Sequence, residues 1–191
     1  MIKIGILGGI GSGKSFVAKQ FGCPVFNADN EVAKIYKKDR KCFIRLNKEF
    51  PKKIKSFPVD KKEIVSSILS NPKNLKKIIQ IIHPLVRKKM NNFIYKNRNK
   101  KMIIFDVPLL LENNLNKKGY ILIFVQAKKE KVIKKLIKRN NYNSKIIRIL
   151  KKSQFSLAYK KKKSNYIINN NFTNKSIKKS VRLLKNKILK K

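Results

Sequence analysis

Residues 8–15 read Gly-Gly-Ile-Gly-Ser-Gly-Lys-Ser and follow directly on an apolar run over residues 2–7. A short buried strand, a glycine-rich turn and a helix start fit the pattern G-x-x-x-x-G-K-[ST]. Gly8, Gly9, Gly11 and Gly13 open backbone conformations closed to residues with a Cβ, so successive N–H groups can turn inward around a phosphate. Lys14 adds a point charge suited to the β- and γ-phosphates, and the Ser15 hydroxyl suits Mg²⁺. A helix beginning near Lys14 aims its positive end at the same anion. The competing reading is a glycine-rich β-turn with no ligand. The complete pattern in its strand–loop–helix setting favours a nucleoside triphosphate.

Length and composition limit how such a nucleotide is used. A chain of 191 residues can bury one substantial core, with room for one or two insertions, and needs no disulfides. Cys23 and Cys42 are too few and too far apart for a zinc site and read as reduced intracellular thiols. No basic region followed by a long apolar segment precedes the first strand. No apolar stretch nears the roughly 18 residues that cross a membrane. The expectation is a soluble, cytoplasmic protein with no membrane segment.

A formal charge of +41, from 50 basic and 9 acidic residues, would ordinarily suggest nucleic acid. Yet 43 of the basic residues are Lys and 7 are Arg, beside many Asn and Ile. Recognition that depends on geometry draws on the planar fork of Arg. Lys, Asn and Ile spread along the whole chain are what an AT-rich coding sequence produces. Drift in coding composition therefore accounts for the charge better than a dedicated nucleic-acid surface. Non-specific polyanion binding at low salt is an expected by-product.

Short apolar runs alternate with helical patterns, which predicts parallel βαβ units. Strands are expected at residues 2–7, 24–29, 102–105, 120–125 and 166–168, with a last helix from about Lys175. Right-handed crossovers place the loops after these strands along one sheet edge, bringing Gly13, Asp29 and Asp106 to strand ends. Residues 31–100 show no strand; Ile64, Ile68 and Leu69, then Leu75, Ile78, Ile79 and Ile82, have helical spacing. A polar segment over residues 139–165 holds further helical pieces. No internal repeat or long linker is evident.

The phosphate loop alone does not separate kinases, GTPases and motor ATPases. The Asn-Lys-x-Asp that reads guanine is absent, and a transporter-type ATPase needs a longer domain. Small kinases remain, in which an acceptor docks opposite ATP and a mobile segment closes. Within that class the phosphate loop is followed in order by Asn27-Ala-Asp29, His83-Pro84-x-x-Arg87, Pro108-Leu-Leu-Leu-Glu112, Gln154 and Asn170. In this combination the chain resembles the dephospho-CoA kinase family over nearly its whole length.

The resemblance implies an α/β P-loop kinase fold, a parallel sheet flanked by helices with a helical CoA-binding insertion and a lid. It implies a nucleotide-binding core over residues 1–30, 101–138 and 166–191, an acceptor domain over 31–100 and a lid over 139–165. The implied reaction is ATP-dependent phosphorylation of the ribose 3′-hydroxyl of dephospho-CoA, with Mg²⁺ held at Ser15. ATP is expected on Gly9, Ile10, Gly11, Ser12, Gly13, Lys14, Ser15 and Phe16, with Asn170 near adenine. Asp29, Lys14 and Arg139 are the expected catalytic groups: Asp29 accepts or orients the hydroxyl proton, and Arg139 neutralises phosphoryl charge where the lid begins. Asp29 could instead cap a helix over residues 31–33, and Arg139 could be a solvated helix-end cation. His83, Arg87, Pro108, Leu109 and Glu112 join Asp29 as expected acceptor-binding residues. His83 has a purely structural alternative, and Glu112 either secures the loop that begins at Pro108 or is a solvated surface acid. Asp106 either helps hold the Mg²⁺ hydration shell or is a plain strand-end acid.

The chain departs from the family pattern at several positions. Asn27 stands where a carboxylate is usual, Phe16 where a hydroxyl is usual, and Lys135 and Lys160 where Arg is usual. Ser164-Asn165 replaces the common Ala-Asp, and Phe172 replaces a glycine. The Arg-to-Lys changes keep charge but lose bidentate geometry. A different small-molecule or nucleoside monophosphate kinase is the nearest alternative. An ATP-binding nucleic-acid protein is a more distant one, since scarce Arg and no recognisable nucleic-acid motif speak against it.

Overall fold

The computed structural model describes residues 1–116, 119–140 and 142–190. Five parallel strands form one sheet in the order β2-β3-β1-β4-β5. They are β1 (Ile2–Gly8), β2 (Val25–Asn27), β3 (Met102–Asp106), β4 (Tyr120–Gln126) and β5 (Tyr166–Asn169). β1 lies in the middle, with Ile4 opposite Ile104 on one side and Ile121 on the other. Such a strand is covered on both faces, which is why residues 2–7 are apolar almost without alternation.

One face carries α1 (Lys14–Gln20) and α9 (Asn174–Leu189). Val17, Ala18 and Phe21 from the first, with Ile177, Val181 and Ile188 from the second, close over Ile4, Ile6, Ile104 and Ile123. On the other face Gly5 leaves a gap that Leu110 and Leu122 fill; any side chain there would strike the Leu110 methyl. α6 (Lys129–Ile137) and α8 (Leu157–Lys162) follow β4 and precede β5. Ser156 caps α8 by accepting from the Tyr159 N–H at 3.1 Å.

Contacts divide the chain into two units. The sheet unit comprises residues 1–27, 97–142 and 151–191; the helical unit comprises 28–96 and 143–150. The helical unit contains α2 (Ala28–Lys38), α3 (Arg40–Glu49), α4 (Lys61–Ser70) and α5 (Asn74–Lys96), and α7 (Ser144–Lys152) begins in it. Asp39 and Asp60 cap α3 and α4 through the Cys42 and Lys62 N–H groups. Ile78, Ile82, Val86 and Met90 form the buried stripe of α5 at helical spacing.

The expected second strand ran to Asp29, but β2 stops at Asn27 and Ala28 already opens α2. Asp29 and Glu31 both lie in the first turn of that helix, where negative charge complements the positive helix end. Asp29 is therefore a first-turn residue of a helix beginning at Ala28, and does not cap one beginning at Glu31.

Candidate functional site

The loop between β1 and α1 is held in shape from several sides. The Lys14 ammonium donates to the Gly9 carbonyl at 2.9 Å and the Gly8 carbonyl at 3.2 Å, so its charge is drawn back over the loop. The Ser12 N–H closes a turn onto the Gly9 carbonyl at 3.2 Å. The Ser12 hydroxyl is buried at 4% exposure and has no protein partner among the described residues. A buried hydroxyl left unpaired costs free energy, and a phosphate oxygen would relieve that cost. Ser15 and Phe16 are exposed at the start of α1.

Two glycines in the loop are obligatory. Gly11 has φ +80°, and a Cβ there would stand 2.8 Å from Leu136 Cγ of α6. Gly13 has φ +87°, and a Cβ would collide with the Asn170 amide nitrogen. Asn170 is itself buried: its Nδ2 donates to the Ser12 carbonyl at 2.8 Å and its Oδ1 accepts from the Phe172 N–H at 2.8 Å. The residue expected near adenine thus also clamps the phosphate loop from the β5–α9 connection.

At the end of β3, Asp106 is buried and lies level with Asn27 across the β2–β3 pair. The Asn27 amide donates to Asp106 Oδ2 at 2.6 Å. A carboxylate at position 27 would instead set two like charges side by side.

Glu112 is no solvated surface acid. Its Oε1 accepts from the Phe155 N–H at 2.8 Å and pairs at 2.8 Å with the Lys160 ammonium, whose side chain is 1% exposed. Lys160 also donates to Gln154 Oε1 at 3.1 Å. The other Glu112 oxygen, Oε2, is buried without a partner among the described residues. This pair fastens the turn after β3, which carries Pro108 and Leu109, to α8. Leu157 of α8 in turn reaches 3.4 Å from where a Gly9 Cβ would stand.

In the helical unit, His83 is half-buried on α5 and Arg87 is exposed one turn further on. Burial, and secondarily the Arg87 charge, push the His83 pKa below its ordinary value, so the ring favours the neutral form. Asp29 is exposed on α2. In the sheet unit, Arg139 is exposed on the turn following α6, its N–H bonded to the Leu136 carbonyl at 3.1 Å.

The family model described as dephospho-CoA kinase matches residues 2–176. The chain belongs to that family. A dephospho-CoA kinase of Wolbachia pipientis wMel is 32% identical over 170 residues, 86% of this chain and 87% of its own. In fold, the chain is similar to the crystal structure of TT1252 from Thermus thermophilus, at TM-score 0.77 and 22% identity over 97% of each chain. It is also similar to dephospho-CoA kinase from Campylobacter jejuni, at TM-score 0.60 and 22% identity over 98% of each.

Set beside the usual dephospho-CoA kinase pattern, three departures have a physical reading. Asn165, where Asp is common, accepts from the Leu122 N–H through Oδ1 at 2.8 Å and returns its own N–H to the Leu122 carbonyl at 2.8 Å. An amide oxygen serves there as well as a carboxylate. Lys160 supplies the charge of the usual Arg but leaves Glu112 Oε2 without a donor among the described residues. Phe172 takes the glycine position at φ +68°. The sequence had marked these positions as departures, but it did not show that Lys160 is the buried partner of Glu112 or that Asn27 holds Asp106.

Proposed function

We propose that this chain transfers the γ-phosphoryl group of ATP to the ribose 3′-hydroxyl of dephospho-CoA, giving coenzyme A and ADP. The observation that carries the nucleotide half is the phosphate loop itself, with Lys14 poised over it and a buried, unpartnered Ser12 hydroxyl inside it. The acceptor half rests on family membership.

Backbone N–H groups from Gly9 to Phe16 hold the phosphates, and Lys14 neutralises charge that spreads over the γ-oxygens as the bond to the leaving oxygen lengthens. Asp29 accepts or orients the proton of the attacking hydroxyl; phosphoryl transfer depends on alignment and charge, so its carboxylate needs no raised pKa. His83 and Arg87 bind the acceptor with Pro108, Leu109 and Glu112, the last acting through the turn that it fastens. Arg139 adds positive charge where the lid over 139–165 begins; the core comprises 1–30, 101–138 and 166–191, and the acceptor domain 31–100. Asn170 sets the loop edge near the base.

Mg²⁺ fits the oxygen donors present, since it takes one or two protein oxygens, substrate phosphates and waters. The Ser15 hydroxyl would hold it, with the Asp106 carboxylate, already paired through Oδ2 to Asn27, facing at most its hydration shell, and it would neutralise phosphate charge. Two free thiols, Cys23 and Cys42, support a reducing, cytoplasmic setting; among the described residues no helix is long and apolar enough to cross a membrane. Polyanions are non-specific partners, through the Lys excess alone.

The test is ADP release coupled to a spectroscopic readout, with dephospho-CoA or a nucleoside monophosphate as acceptor. Dephospho-CoA should be strongly preferred, and Lys14→Ala should nearly abolish transfer while the protein stays folded. Equal transfer to a nucleoside monophosphate would make this a different kinase. Normal turnover in folded Lys14→Ala protein would remove the ATP-site assignment.

A further inference from the structure

The β5–α9 connection holds an aromatic side chain in a conformation that favours glycine. Asn114 and Phe172 are the described non-glycine residues with positive φ, at 49° and 68°. Asparagine visits this region readily because its short polar side chain bonds locally. A bulky aromatic residue has no such compensation and is a genuine outlier. The family's usual glycine would sit there without strain, so the ring stands at this position against the backbone's preference.

The surroundings of the ring indicate its role. The Phe172 N–H is bonded to Asn170 Oδ1, and Asn170 is bonded through Nδ2 to the Ser12 carbonyl. Phe172 Cε1 lies 3.5 Å from where a Cβ on Gly13 would stand. The Lys135 ammonium sits 4.7 Å from the ring centroid. A half-buried apolar ring is thus fixed at the edge of the phosphate loop, beside its last glycine, with a cation over one face. Phosphates gain nothing from a phenyl ring, but a nucleobase tethered to those phosphates does.

We propose that Phe172 is a binding residue for the base of ATP, a stacking platform that this chain carries in place of a glycine. The inference rests on the phosphate loop holding ATP. A phenyl face stacks with any base, so the platform adds affinity without distinguishing adenine from guanine. Lys135 strengthens it by keeping positive charge on the ring and near the nucleotide.

The experiment measures dissociation constants of the full-length protein for ATP, GTP and inorganic tripolyphosphate by calorimetry, in wild type, Phe172→Gly and Phe172→Tyr. Phe172→Gly should weaken ATP and GTP each by about tenfold and leave tripolyphosphate, which has no base, within about twofold. Phe172→Tyr, which keeps an aromatic face, should bind all three within about twofold of wild type. Equal weakening of ATP and tripolyphosphate in Phe172→Gly would show that the ring only props the loop and would overturn the proposal. So would unchanged ATP affinity in that variant. A wild-type protein that binds neither ATP nor tripolyphosphate would instead overturn the ATP-site reading itself.

Discussion

Replacing Lys160 by Met keeps the length of the side chain and removes its charge. Lys160 is buried and Glu112 is one-tenth exposed, so the variant leaves a carboxylate in a low-dielectric site with the Phe155 N–H as its remaining donor described here. Breaking a buried pair by deleting one partner costs about 3–5 kcal/mol, and the surviving hydrogen bond argues for the lower end, about 3 kcal/mol. A 191-residue chain has an unfolding entropy of about 0.4 kcal/mol/K, so Tm should fall by about 7 °C. Thermal and urea unfolding of Lys160→Met, Glu112→Gln and the double variant form the assay. The double variant buries no lone charge and should be more stable than the summed single losses by about 2 kcal/mol or more. Additivity within about 0.5 kcal/mol, or a loss below about 1 kcal/mol in Lys160→Met, would refute the claim that this pair fastens the turn after β3. Lys160→Arg offers a second donor to the unpartnered Glu112 oxygen and should gain about 1 kcal/mol.

Asp29→Asn keeps the size of the side chain and removes the charge, so kcat should fall about a hundredfold with ATP affinity little changed; preserved turnover per folded molecule would reduce Asp29 to a helix-end residue. Arg87→Ala should raise KM for dephospho-CoA far more than for ATP, and an unchanged KM for dephospho-CoA would remove Arg87 from the acceptor site. His83 holds its proton less tightly folded than unfolded. Its stabilising contribution is therefore complete above the unfolded value of about 6.5 and declines as pH falls from there toward the folded value. Thermal melts between pH 7 and 5.5 should show a shallower loss in His83→Gln than in wild type, and parallel slopes would count against a buried, neutral ring.

The phosphate loop was legible because its backbone demands glycine at fixed intervals and a cation next to a hydroxyl. The central strands were legible because burial on both faces leaves little room for polar residues. Asp29 was misplaced because Phe-Asn-Ala-Asp has no glycine or proline to mark a boundary. A buried apolar Ala28 also suits a strand end as well as a first helical turn. Lys160 stood out only as a Lys where Arg is usual; its burial was not legible, since the run Lys160–Lys163 reads as a solvated face. Which of the four turns inward is decided by Glu112, 48 residues earlier in the chain. Asn27 looked like a lost carboxylate; its role as donor to Asp106 needs the register of β2 against β3. The strain at Phe172 was foreshadowed only by the glycine expected there.

The strand order also sets a timetable for synthesis. β1 leaves the ribosome first, yet its neighbours are β3 and β4, so Ile2 waits for Met102 and Lys3 waits for Tyr120. β2 is no substitute, because β3 separates it from β1. Closing loops of that length costs entropy before any pairing energy returns. A nascent chain therefore carries its phosphate-loop motif through the whole stretch of synthesis from Ile2 to Met102 without a sheet to hold it, and during that interval ATP has no formed site to stabilise. Bound nucleotide can reward folding only late, once the centre of the sheet has closed.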